Sequence, residues 1–359
     1  MKRLLIALSI IIYHLSFSPI GAQAQTQVST YTPGVTPDGA TFFLPKTGIR
    51  ISVLTEKTTY TPGDYAAYAQ RFLRLSGVST DASIIHRILA VKQTAVGVAD
   101  TTKAYSVKFN QKTAATNMSL AQDGVLLAVN AKVDEQPAPT LFQPAPKTPT
   151  PDPHRFLGED ILAAGSLSKM AQLTAEEIYD IRDTRSLLVK GQADFMSDDG
   201  QQMKLMLDQL EQQDRALTSL FSGITERDTV EYTFFLCPSK NFETQTLFRF
   251  SRYFGLVDVD DLSGEPYTIT ITDMNSVPKM TTFVKKKAEN GLFYNVPGRM
   301  RSVISHGPDM VSQEEFPAGQ FGNVELLSGE LFNKHFGTRL WLNPVSGAID
   351  KLEAEQPKK

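Results

Sequence analysis

Short segments in which apolar and polar side chains alternate recur along this chain, and they constrain its fold more than any other feature. Ile49, Ile51 and Val53 fall on one face of one such segment, as expected for a strand with one buried face. Similar segments continue to residue 131 and resume at Thr229, separated by turn residues. The regular spacing after Thr229 is typical of a β-sandwich. The predicted strands are 41–45, 49–60, 84–97, 104–109, 124–131, 229–236, 244–250, 267–272, 281–287, 291–296, 300–305, 322–327, 338–342 and 348–352.

Two helices are predicted between the strand-rich stretches. Thr174-Ala-Glu-Glu177 has the form of a capping box, which places a helix start at Thr174, and Gly191 ends that helix. A second helix opens with Ser197-Asp-Asp-Gly200, carries an apolar stripe and ends at Gly223. The short connection predicts an antiparallel hairpin, whose charged outer faces indicate either a partner-binding arm or a solvated surface. Those charged residues are Asp180, Arg182, Arg185, Asp208, Glu211, Asp214 and Arg215.

Seven prolines lie between residues 133 and 153, ahead of the helices. Because proline fixes φ and lacks an amide hydrogen, this stretch predicts an extended, semi-rigid linker. A proline-rich ligand for an aromatic groove is the alternative interpretation.

Two aromatic stretches, Tyr65–Leu73 and Leu247–Phe254, each follow a pair of predicted strands. They are compatible with two related β-modules that flank a helical insert. The first stretch also has helical spacing, and Asp64 is its predicted N-cap. Superposition of the two modules is the test of this hypothesis.

The first 24 residues have the three parts of a secretory signal peptide. Lys2 and Arg3 precede the apolar run Leu4–Leu15, and Ala22-Gln23-Ala24 offers a cleavage site. We therefore expect an exported chain, periplasmic or secreted, that begins near Gln25. Later apolar runs are shorter than the roughly 18–20 residues of a membrane helix, so none is predicted after cleavage.

Composition excludes further classes. The net charge is −3, and the sequence contains no block of basic residues. Both observations argue against nucleic-acid binding. The single cysteine, Cys237, forbids an internal disulfide and lies too far from the signal peptide for a lipoprotein anchor. Its apolar neighbours predict a small buried hydrophobe rather than a nucleophile.

Catalytic and metal-binding motifs are not evident in the sequence. His86, His154, His306 and His335 lack the spacing of zinc ligands. The string Ser166-Leu-Ser-Lys169 matches S-x-x-K without the later partners of that catalytic set. We therefore predict no catalytic, cofactor-binding or metal-binding residues, and no cofactor.

Acidic clusters offer two weaker alternatives. Asp258, Asp260 and Asp261 suggest calcium, but neither counting register supplies the glycine and glutamate of an EF-hand, which favours a solvated loop. Glu314-Glu315, near His306, would suit a glycoside hydrolase only if the carboxylates faced one sugar.

Two tripeptides resemble a short O-glycosylation acceptor. They are Asp100-Thr-Thr102 and Asp228-Thr-Val230. An intact mass equal to the bare mature chain would exclude that modification.

Several short motifs, spread in order over most of the chain, resemble a known family. They are Tyr60–Asp64 with Tyr68 and Arg71-Phe72, Ala164–Met170, Thr174–Arg182, Gly200–Leu207, Asp261–Glu265, Gln320–Gly322 and Asn343–Ala348. The set is similar to the domain of unknown function 4831 family of exported Gram-negative envelope proteins. The resemblance implies an envelope location and brings no activity, substrate or catalytic residue.

These observations predict an α+β protein that acts as a non-catalytic binding or structural module, with an envelope protein or a glycan as partner. A glycan- or peptide-directed hydrolase is the alternative. The predicted parts are a signal peptide (1–24), a β-rich domain with one helix (25–132), a Pro-rich linker (133–153), a helical hairpin (154–225), a β-sandwich-like domain (226–353) and a tail (354–359).

Overall fold

A computed structural model describes residues 27–30, 39–108, 117–133, 142, 151–192, 200–278, 289–332 and 337–355. Within these ranges strands predominate, in antiparallel sheets accompanied by a few helices, which agrees with the predicted α+β class. The signal peptide, the strand expected over 281–287 and most of the Pro-rich linker lie outside the described residues.

The strands form two sheets in the described part of the chain. The larger has nine strands in the order β6-β2-β3-β1-β10-β9-β7-β8, with β11 on the other side of β10, and the smaller has the order β13-β12-β5-β4. The strands are β1 Gln27–Thr30, β2 Gly39–Thr61, β3 Ser83–Lys108, β4 Met118–Leu120, β5 Leu126–Val129, β6 Ile224–Leu236, β7 Phe242–Ser251, β8 Gly255–Val257, β9 Glu265–Asp273, β10 Glu289–His306, β11 Asp309–Ser328, β12 Gly337–Leu342 and β13 Ile349–Glu355.

Several strands are longer than the sequence pattern predicts. The segments expected at 41–45 and 49–60 are one strand, β2, and those expected at 291–296 and 300–305 are one strand, β10. The break predicted at 46–48 is regularly paired and follows an irregularity at Pro45, and the break predicted at 297–299 begins at Pro297, where the ladder is irregular but does not end. The prediction of separate strands was therefore wrong, because a proline interrupts one hydrogen bond of a ladder without ending the strand.

Strands from the two ends of the chain share the larger sheet. β6 pairs with β2 from Leu236 opposite Ile49 to Ile224 opposite Thr61. The short strand β1 lies between β3 and β10 and pairs with both. The strand-rich ranges 25–132 and 226–353 thus contribute to one sheet, while their boundaries as domains stay a prediction.

Side chains from both ranges also share one core. Ile49, Ile51 and Val53 of β2 pack with residues of β7, β9, β10 and β11, among them Met300 and Phe316. Their alternation in β2 is the pattern that predicted one buried face, and this face is buried. A second cluster lies between β2, β3 and the smaller sheet. Its buried members are Phe42, Leu44, Tyr105, Val107, Leu126, Val129, Leu292, Val324, Phe332, Leu340 and Leu342.

The long helices lie between β5 and β6 in the chain. Gly191 ends α3 with φ of +69°, and Gly223 follows α4 with φ of +74°, the left-handed conformation that glycine adopts readily. The helices are α1 Ala69–Phe72, α2 Glu159–Leu162, α3 Leu167–Lys190 and α4 Gly200–Ser222, with short 3-10 helices at Ala66–Tyr68, Pro153–Phe156 and Gly329–Phe332.

Two predicted helix starts were wrong. Thr174 is buried within α3, where its hydroxyl donates to the Met170 carbonyl, and the N-cap is Ser166, whose Oγ accepts from the Lys169 amide. Asp64 caps no helix, because a 3-10 turn follows it. Asp64 and Thr174 are both residue types that commonly cap helices, but where a helix starts also depends on which turn packs against the core.

Charged residues join α3 to α4. Arg182 contacts Asp214 at 2.9 Å, and Arg185 contacts Glu211 at 3.5 Å. From the first ion pair to the second, the residue number rises in α3, from 182 to 185, and falls in α4, from 214 to 211. The two helices therefore run antiparallel. These charges therefore bridge the helices, which neither interpretation of the charged faces anticipated.

The two aromatic stretches that suggested related modules have different structures. Tyr65–Leu73 forms a 3-10 turn and a short helix, whereas Leu247–Phe254 belongs to β7 and its turn. Any relation between the two halves therefore does not rest on these stretches.

Candidate functional site

The first long hairpin, β2–β3, is interrupted beside Pro45. Phe43 pairs with Ala104 and Pro45 with Ala99, so one residue of β2 faces the four residues 100–103 of β3. Proline has no amide hydrogen to give to the ladder, and a bulge relieves that defect. The sequence thus places an enlarged bulge inside a strand that is otherwise regular.

Asp100 stabilises this bulge from within. Its buried carboxylate accepts hydrogen bonds from the Thr102 amide at 3.0 Å and from the Thr102 hydroxyl at 2.6 Å. The extra residues direct Lys103 towards the second long hairpin, β10–β11. There its Nζ donates to the Gly319 carbonyl at 3.0 Å and to Asn295 Oδ1 at 3.4 Å.

The second hairpin has the same irregularity on its returning strand. Pro297 of β10 alone faces the four residues 319–322 of β11. A Cβ atom at Gly322 would lie 1.9 Å from the Val296 carbonyl oxygen. Only glycine allows the two backbones to approach this closely.

The Gln320 side chain ties the second bulge to the first hairpin. Its Oε1 accepts from the Thr47 amide at 2.8 Å, and its Nε2 donates to the Thr47 carbonyl at 2.8 Å. Nε2 also donates to the Pro238 carbonyl at 3.1 Å. The side-chain amide therefore satisfies one residue of β2 as a neighbouring strand would.

Asn295 completes the contact between the hairpins. Its side chain is 0% exposed, and Nδ2 donates to the carbonyls of Pro45 at 2.8 Å and Ser346 at 2.9 Å. Its Oδ1 accepts from Lys103. We call the two bulges, 100–103 and 319–322, together with Asn295 the bulge junction.

Lys103 is the cationic group of the bulge junction, and Asp100 is its anionic group. Burial lowers the pKa of its ammonium group from the ordinary value, and the nearby Asp100 carboxylate opposes that shift. Both atoms that contact Nζ are neutral oxygens, and no carboxylate of the described residues lies within ion-pair distance of it. A half-buried charge whose only contacts are neutral is costly unless an anion compensates it.

A cavity of about 680 Å³ opens beside the bulge junction. Its walls come from the two bulges, the β6–β7 connection and the end of β9, and the volume falls in the roughly 300–1,000 Å³ range of small-molecule sites. We call it the junction cavity. Its lining residues are Lys103, Ser239, Lys240, Asn241, Asp273, Gln320, Phe321, Gly322, Asn323 and Val324.

The acidic pairs considered from the sequence are not brought together as catalytic groups. Glu314 and Glu315 are consecutive residues of β11 and so lie on opposite faces. Glu315 accepts hydrogen bonds from both Arg299 and Arg301. His306 instead contacts Glu265, at 2.7 Å.

The remaining candidates have structural surroundings. The cluster Asp258, Asp260 and Asp261 lies on an exposed loop, where Asp261 accepts from the Ser263 amide. Burial raises the pKa of the half-buried Cys237 thiol, which makes it a poorer nucleophile. Among the described residues, no group of three His, Cys, Asp or Glu side chains is placed to hold a metal ion.

Both glycosylation-like tripeptides lie in strands, and Asp100 of the first is the buried residue that shapes the bulge. No helix in the described ranges has the length and apolar character needed to cross a membrane.

Sequence reasoning missed the junction cavity, although two of its signals were visible. Pro45 and Pro297 mark the irregular positions, and the Gln320–Gly322 motif forms three of the four residues of the second bulge. The contact between Lys103 and Asn295 spans 192 positions of the chain, so no local pattern indicates it.

Comparison with known proteins gives a single finding. A model of the family described as "Domain of unknown function (DUF4831)" matches residues 38–350. No curated protein and no solved structure matches the chain.

Proposed function

This chain belongs to the DUF4831 family, and we propose that it is an exported envelope protein that acts as a non-catalytic binding module. The family is the one that the sequence motifs predicted. Export is supported by the charged, apolar and cleavage-site segments of the first 24 residues. The proposed location is the periplasm or the exterior.

The observation that carries the binding role is the junction cavity. It combines an ammonium group whose two hydrogen-bond contacts are neutral oxygens with several polar side chains and the apolar ring of Phe321. Such a mixture of a few placed polar groups in a concave site is typical of ligand recognition. The envelope supplies glycans and proteins as ligands, and a cavity of this size suits a glycan fragment better than a folded partner.

A cavity-blocking variant tests this proposal. Ser239 is an exposed lining residue, so Ser239→Trp should fill the entrance without disturbing the core. Thr184→Trp, at an exposed position of α3, is the matched control. The purified mature proteins would be immobilised and exposed to fluorescently labelled glycan fragments solubilised from the native envelope.

We expect wild type and Thr184→Trp to retain fragments, and Ser239→Trp to lose most of that retention. Equal retention by all three proteins would refute the cavity as the binding site. Shortening of the fragments by wild type would favour the glycan-directed hydrolase instead. Fractionation with N-terminal sequencing tests export, and a cytoplasmic chain that starts at Met1 would contradict it.

A further inference from the structure

The ammonium group of Lys103 has one N–H donor without a described hydrogen-bond acceptor. A lysine ammonium group has three N–H donors, and its described contacts are the Gly319 carbonyl and the Asn295 amide oxygen. Lys103 is also a lining residue of the junction cavity. A ligand oxygen in the cavity could therefore accept the third hydrogen bond.

The surroundings of this lysine favour an anionic ligand oxygen. The two neutral contacts solvate the ammonium group incompletely, and the structure describes no carboxylate in contact with it. A bound carboxylate would compensate the charge, and such a charge-assisted bond is about twice as strong as a neutral one. A ligand carboxylate could therefore form with Lys103 the charge-assisted hydrogen bond that the described residues do not provide.

The charges of the cavity limit how acidic the ligand can be. Two lysines, Lys103 and Lys240, share the lining with one aspartate, Asp273. Asp100 also acts electrostatically on Lys103, and the Asp273 carboxylate already accepts from the Asn275 amide at 2.8 Å. With these carboxylates beside the two ammonium groups, the described part of the site suits a ligand with one carboxylate and disfavours a dense polyanion such as a polyphosphate.

The uncharged polar lining favours hydroxyl groups on the rest of the ligand. The Ser239 hydroxyl can both donate and accept hydrogen bonds, and Asn241, whose Oδ1 accepts from the Asp273 amide at 2.7 Å, offers its Nδ2 as a donor. Hydroxyl groups of a ligand can pair with both, because they also donate and accept. Phe321 adds an apolar surface within the same lining.

We propose that the junction cavity binds a uronic acid, a sugar that carries one carboxylate, with Lys103 Nζ as the donor to that carboxylate. This inference rests on the binding role proposed above and specifies its ligand class. Lys240 contributes long-range attraction from the exposed rim, and the side chains of the β6–β7 connection contact the hydroxyl groups.

Calorimetric titration of the full mature chain tests the inference. The probes are galacturonic acid and galactose, which differ by the carboxylate. The variants are Lys103→Met, which keeps the length of the side chain, and Lys240→Met, which removes the second cavity lysine. Lys92→Met is the control, because Lys92 is an exposed residue of the same strand, β3, outside the cavity lining.

We expect wild type and Lys92→Met to bind the acid at least about tenfold more tightly than galactose. Lys103→Met should lose at least about tenfold in affinity for the acid, as expected when a hydrogen bond to a charged group is removed. Lys240→Met should lose a smaller factor. A melting curve confirms that each variant is folded, and Lys240→Met remains informative if Lys103→Met is not.

Three results would overturn the inference. They are equal affinity of wild type for the acid and the neutral sugar, unchanged affinity of both cavity variants, and no binding of the acid. If wild type still retained envelope fragments through the cavity, the binding role would stand and only the ligand class would be wrong. If no fragment bound either, both proposals would fail.

Discussion

The two long hairpins, β2–β3 and β10–β11, have the same defect but use it differently. In each, one residue beside or at a proline faces four residues of the returning strand. The bulge at 100–103 is polar, is held by Asp100 and delivers a charge. The bulge at 319–322 begins and ends with glycine and provides the Gly319 carbonyl and the Gln320 side-chain amide. Equal geometry with unequal residues thus places a charged donor on one hairpin, and a carbonyl acceptor and an amide that both donates and accepts on the other.

The largest expected effect comes from the second bulge. Gly322→Ala would place a Cβ atom 1.9 Å from a backbone oxygen of β10, so the strands must separate. We expect the free energy of unfolding in urea to fall by about 3 kcal/mol. Gly337→Ala is the control, since a Cβ atom there meets nothing within 4 Å. Similar losses in both variants would show that the close approach at Gly322 is not needed.

The next effect comes from the contact between the hairpins. Asn295→Ala would leave the buried carbonyls of Pro45 and Ser346 without their donor and Lys103 with one acceptor. We expect a loss of about 2 kcal/mol in the free energy of unfolding. Asn323→Ala, which removes an exposed bond to the Pro278 carbonyl, should cost clearly less. The reverse order would mean that the hairpins do not depend on Asn295 for their contact.

A smaller effect is expected from the first bulge. Asp100→Ala removes both hydrogen bonds to Thr102, but the freed amide and hydroxyl belong to an exposed residue and can bind water. We expect a loss of about 1 kcal/mol by urea unfolding. Asp81→Ala, at an exposed turn without a described side-chain hydrogen bond, serves as control. If Asp100→Ala lowered the free energy of unfolding by more than Gly322→Ala does, the first bulge would contribute more to stability than the second, contrary to this prediction.

The smallest effect concerns the outer end of the first hairpin. His154 lies between Asp64, at 3.0 Å, and Asp152, at 3.1 Å, and hydrogen bonds to these carboxylates raise the pKa of His154. The resulting stabilisation is fully present below the ordinary histidine pKa and is lost as pH rises through the raised one. His154→Gln should therefore lower the urea midpoint slightly near about pH 5 and hardly at all near about pH 9. A difference that grows with pH would contradict this sign.

Local sequence patterns predicted the elements of this fold better than their extent or their partners. Alternation at Ile49, Ile51 and Val53 identified a buried face, and Gly191 and Gly223 identified two helix ends, because these signals act within a few residues. Thr174 and Ser166 show the limit of such signals. Both precede plausible helical segments, and only packing against the rest of the chain decides which one caps the helix.

The candidate site was harder to predict for the same reason. Neither Pro45 nor Pro297 was identified as a bulge position from the sequence, because their effect on the returning strands depends on pairing partners such as Ala99, which lies 54 positions after Pro45. The environment of Lys103 is built by Gly319 and Asn295, which are still more distant in sequence. A lysine in an unremarkable Thr-Thr-Lys stretch gives no local sign of its burial.

The pairing of β6 with β2 and of β1 with β10 also bears on the order in which the chain folds. Thr61 pairs with Ile224, and Gln27 pairs with Asn290, so β6, the neighbour of β2, and β10, the strand beyond β1, are both synthesised long after the first hairpin. Contacts of such long sequence separation form slowly. A growing chain would therefore remain without a completed sheet until most of it had been made, and the export proposed above would need such an unfolded chain.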